Sequence, residues 1–104
     1  MNNKEIEDQI IKNFQQDEQM MILVFAQWCV NNQLNPTELY SRAYPNQAAN
    51  YALQQGIDLT VPKEESETIA DDTLLNVLAL YSNEDLAFVV TEEIEKLKKK
   101  NSTL

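Results

Sequence analysis

The chain has no histidine, one cysteine and one glycine. Without imidazole there is no Ser-His or Cys-His nucleophile pair, no general base of the commonest kind, and no zinc site with a histidine ligand. A lone cysteine, Cys29, can form neither an intrachain disulfide nor a thiolate cluster, and it suits a reducing compartment. A lone glycine cannot supply a GxGxxG turn or a phosphate-cradling loop, which need several residues without a Cβ so that backbone amides reach phosphate. Positive charge is also scarce. Eight bases stand against 17 acids, a formal net charge of −9, and between Asn13 and Glu95 only Arg42 and Lys63 are positive. Phosphate backbones are bound by clustered Lys and Arg, so direct nucleic-acid binding is not expected. The longest apolar run, Met20 to Ala26, is far short of the roughly 20 residues that cross a bilayer, so no membrane span is expected. The polar, acidic start Met1-Asn-Asn-Lys-Glu differs from an export signal, and a cytoplasmic location is the expectation.

What is present fits one folded domain. A chain of 104 residues, 43% apolar and 24% charged, can enclose a single core. The patterns give an all-α fold: one helical domain over residues 1–104, a compact bundle of five to six helices, with an extended segment near 57–61 and a frayed tail over 98–104. Asn2 and Glu5 have capping-box spacing ahead of a stripe of Ile6, Ile10 and Phe14, with Ile11 beside it. Met20 to Val30 is apolar nearly all round, which marks the central helix and places Trp28 in the core. Asn35 before Pro36 reads as an N-cap and first helical position, for a helix to about Ala43. Pro45 bends the chain before another helix from Asn46 to about Gln55, closed by Gly56. Ile57-Asp-Leu-Thr-Val61 alternates like a short edge strand. Helical periodicity resumes from Lys63 or Ser66 through Ile69, Thr73, Val77 and Tyr81. Asn83 then caps a last helix with the stripe Leu86, Val90, Ile94 and Leu97 and with acids early and lysines late.

Few residues suggest chemistry. Glu64, Glu65, Glu67, Asp71 and Asp72 are the densest acids, and Glu67 and Asp71 at four-residue spacing would share a helix face and could hold a hard cation. A solvated, dipole-favoured helix start accounts for them better. Cys29 in its apolar run reads as a small hydrophobe. Lys96, Lys98, Lys99 and Lys100 complement a helix C-terminus. No catalytic, metal-binding or cofactor-binding residues are assigned, and no cofactor is expected. Tyr40, Arg42, Tyr44 and Tyr51 gather around the Pro45 bend and are the candidate contacts for a protein partner, since Tyr and Arg are enriched in interfaces. Met20, Met21, Leu23 and Val24 are the candidate self-association residues, because the central helix is more apolar than a few helices readily cover, and a homodimer is expected on that ground.

The run Asp17-Glu-Gln-Met-Met-Ile-Leu-Val-Phe-Ala-Gln-Trp-Cys, with Leu39-Tyr40 and Ala43-Tyr44-Pro45, resembles the short conserved hypothetical proteins of low-GC Gram-positive bacteria. The resemblance implies a bacterial cytosolic protein and no activity. The 11 Asn and 9 Gln argue against a hyperthermophilic source. The expected function is therefore a non-catalytic interaction or regulatory module with a protein partner. The alternatives are a carboxylate-dependent metal or small-molecule enzyme using residues 64–72, and an acidic mimic of nucleic acid.

Overall fold

Helix α1 carries the apolar run, and residues 18–31 of it are described by the structure, a computed structural model that describes residues 18–47 and 50–102. The expected N-terminal helix with Ile6, Ile10, Ile11 and Phe14 lies outside the described residues, as does Asp17. A helix apolar on most sides needs neighbours on most sides. Accordingly Met21, Ile22, Phe25, Ala26, Trp28 and Cys29 are all buried, with Trp28 wholly enclosed as its position in the run implied.

Helix α2 (Pro36–Ala43) matches its expected bounds, and the Asn35 side chain accepts the amides of Thr37 and Glu38 at 2.9 and 3.2 Å. Helix α3 (Tyr51–Asp58) starts later than the expected Asn46. Its cap is Asn50, whose side chain accepts the Leu53 amide at 3.2 Å. It also passes through Gly56 and takes in Ile57 and Asp58, which corrects the reading of 57–61 as extended; among the described residues there is no strand. A short 3-10 turn (Lys63–Glu65) follows, then non-helical chain to Ala70, so α4 (Asp71–Leu80) begins well after Lys63 or Ser66. Helix α5 (Glu84–Ser102) packs against both α2 and α4 through Leu86, Val89, Val90 and Ile94. The architecture is the small all-α bundle the periodicity implied.

Glycine is absent from the two places where it would be commonest. Both α1 and α4 end in paired 6→1 and 5→2 bonds. Leu34 and Gln33 donate to Cys29 and Val30 at 2.8 and 3.1 Å, and Asn83 and Ser82 donate to Leu78 and Ala79 at 2.9 and 3.0 Å. The left-handed residue of each motif is not glycine, with φ of 62° at Gln33 and 53° at Ser82. A Cβ in that conformation costs about 1 kcal/mol. Gln33→Gly and Ser82→Gly should therefore each stabilise the domain by about 1 kcal/mol in urea denaturation, and roughly additively in combination. A loss of stability in both would show that these side chains make contacts worth more than the strain.

Candidate partner-binding site

The candidate contacts on α2 tie the bundle together. The Tyr40 hydroxyl accepts from Asn50 Nδ2 at 2.8 Å, so one asparagine both caps α3 and anchors α3 to α2. The Tyr44 ring lies 5.0 Å from that of Tyr40 at a 54° tilt. Helix α5 starts directly after Asn83, but the Asn83 side chain does not supply the cap expected of it. The Asn83 side chain instead donates to Met21 Sδ at 3.6 Å, and its oxygen is buried without a hydrogen-bond partner. Burial pushes both phenols above their ordinary pKa, partly offset at Tyr40 by the Asn50 bond.

Arg42, on the same helix, turns to α5. Its guanidinium donates to Glu92 at 3.3 Å and, more closely, to Glu93, which also receives Lys96 at 3.4 Å. The Glu93 side chain is about nine-tenths buried. Burial pushes its carboxyl up, but hydrogen bonds from Arg42 and Lys96 and their charges outweigh this and hold it below the usual carboxylate range. Burial first, and the Glu93 charge second, push the Cys29 thiol up to about 12, so at neutral pH it stays a protonated core residue.

Tyr51 stands apart from the other three. It is 77% exposed at the start of α3 and rims an open groove of about 420 Å³ with Gln19 of α1, Ala52, Gln55 and the 68% exposed Leu59. Gly56 forms part of the lining. Tyr40 and Tyr44 line a different groove, of about 280 Å³, with Met21, Tyr81, Asn83 and Glu18. Of the candidate self-association residues, Met21 belongs to the core, Leu23 and Val24 are partly buried, and Met20 is 59% exposed.

Leu59 and Phe88 are exposed apolar residues that the sequence reading did not single out. Phe88 could have been found, because it falls roughly opposite the Leu86, Val90, Ile94 stripe on a 3.6-residue helix. Leu59 could not, since its exposure depends on where α3 ends.

The acids do not assemble as the helical reading placed them. Glu67 is outside α4, whereas Asp71 is its first residue and accepts the Trp28 indole N–H at 3.0 Å. The two cannot share a helix face because the chain between them is not helical. That stretch is held by side chains of α1 instead. Gln27 pairs with both the carbonyl and the amide of Val61 at 2.9 Å, and Asn31 donates to Ser66 Oγ and the Glu67 carbonyl at 3.3 and 3.4 Å. No helix among the described residues is long and apolar enough to cross a membrane.

The chain belongs to the YxiS family, whose model matches residues 2–95. It is 50% identical over 93 residues to a Bacillus subtilis (strain 168) protein described as uncharacterized protein YxiS, an alignment that covers 88% of this chain and 97% of that protein. The resemblance to short conserved proteins of low-GC Gram-positive bacteria therefore holds. No solved structure matches.

Proposed function

We propose that this chain is a non-catalytic protein-protein interaction module of the bacterial cytoplasm, which captures an apolar side chain of a basic protein partner in the groove between α1 and α3. The observation that carries this reading is the exposure of Tyr51 and Leu59 on one groove, outside the buried cluster formed by the described residues. Large apolar side chains that face water around a concavity mark contact surfaces, and tyrosine adds area at low entropic cost. The net charge of −9 favours a basic partner and raises its association rate.

The test is affinity capture from bacterial cytosol with the wild-type chain and with the Tyr51→Ala/Leu59→Ala double variant, read by mass spectrometry at low and high salt. A specific protein should be retained by the wild type, fall about tenfold or more with the double variant, and weaken as salt rises. Identical capture by wild type and double variant would remove the groove from the account.

A further inference from the structure

The outward side of α5 has a regularity that its packing inside the domain does not require. Glu84, Phe88, Thr91, Glu95 and Lys98 follow one another at steps of four, three, four and three residues, and all five are exposed. Residues at that spacing lie on one stripe of the helix, where a second helix would lie alongside, and Phe88 is its apolar member. Phe88 is 68% exposed in the middle of it, while α2 and α4 cover the opposite side of the helix.

We propose that this seam is an interface with a second copy of the chain, in which two α5 helices pack antiparallel about a two-fold axis at Thr91. The occupant follows from the charge order. In the antiparallel arrangement Glu84 of each copy meets Lys98 of the other, giving two attractive layers at the ends. Phe88 packs across the methylene stem of the other copy's Glu95, and the small Thr91 side chains meet at the axis and allow close approach. The helix dipoles also oppose one another favourably. A parallel pairing would set Glu84, Glu95 and Lys98 each against itself, three like-charge layers. A foreign basic helix would match the acids but would leave Lys98 facing its own sign. Each half of the seam complements the other, as an isologous contact demands.

The seam is about 21 Å long at 1.5 Å per residue, short of what a tight dimer buries, so a dissociation constant on the order of 100 µM is expected. Sedimentation equilibrium of the full chain from about 10 µM to about 1 mM measures it, at about 0.15 M salt, which screens the long-range repulsion between two chains of net charge −9 more than it screens the end-layer contacts. Phe88→Ala should raise the dissociation constant about tenfold or more. Glu84→Lys makes both end positions positive and Lys98→Glu makes both negative, so each variant alone should associate at least about tenfold more weakly, while an equimolar mixture recovers wild-type affinity as a heterodimer. All these positions are exposed, and circular dichroism checks that each variant keeps its helix content. A chain that stays monomeric across the range, variants with unchanged dissociation constants, or a mixture no tighter than its parents would overturn the antiparallel seam. A dimer broken by Met20→Lys and indifferent to the α5 variants would overturn it in favour of the α1 face.

Discussion

Gly56→Val should destabilise the domain by about 3 kcal/mol or more, and Gly56→Ala by up to about 2 kcal/mol, although both are better helix formers than glycine. Gly56 lies inside α3 with no positive φ, so backbone freedom is not the reason for it. A Cβ built there would stand 2.8 Å from Ile22 Cγ2 and 3.6 Å from the Ile22 backbone. Ile22 is itself 1% exposed, and a β-branched side chain in a helix has essentially one rotamer in which to stay. It cannot swing aside, so α1 and α3 must separate or the core must shift. Overpacking of this kind typically costs 1–3 kcal/mol, set against the ~1 kcal/mol of helix propensity that alanine gains. Urea denaturation of the two variants decides the matter. A stabilising Gly56→Ala would show that α1 and α3 are less closely apposed than the contact implies.

Arg42→Met should cost about 2 to 3 kcal/mol at neutral pH, because it leaves the nearly buried Glu93 carboxylate with Lys96 as its remaining ion-pair partner. The figure is below that for a fully enclosed pair, since the Arg42 side chain keeps 31% exposure and solvent screens it. The pH dependence has a definite sign. The folded-state pKa of Glu93 is held below its unfolded value near 4.5, so its stabilisation is complete above that pH and is lost as pH falls through the folded value. The gap between wild type and Arg42→Met should therefore narrow on acidification below about pH 4.5. Glu93→Gln, which keeps the shape without the charge, should show a flatter stability profile over the same interval. Parallel acid profiles for wild type and Glu93→Gln would mean that the Arg42 pair contributes nothing net. The effect reaches beyond one ion pair, because Arg42 ties α2 to α5 through both Glu92 and Glu93.

The sequence alone determined what local chemistry controls. The 3.6-residue apolar pattern gave the all-α class and the central helix. Asn35 ahead of Pro36 fixed the start of α2, and the Leu86, Val90, Ile94 stripe fixed the packed face of α5, because caps and stripes depend only on residues within a turn or two of one another. The absence of histidine rules out imidazole chemistry whatever the fold. Tertiary structure decided the remainder. The sequence placed the start of this helix at Asn46, but Asn50, which also meets Tyr40 from another helix, is the residue that caps α3. Gly56 had the composition of a helix end, yet the nearness of Ile22 makes it a contact point within α3. Residues 66–70 had helical periodicity, but Asn31 of α1 bonds the Ser66 hydroxyl and the Glu67 carbonyl in a non-helical path, and for that carbonyl it stands in for the partner a helix would have supplied. Tyr40, Arg42, Tyr44 and Tyr51 looked like one group because they are close in sequence. Only the fold separates them, turning the first three toward other helices and leaving Tyr51 to the groove, since which side of a short helix meets water depends on neighbours far along the chain.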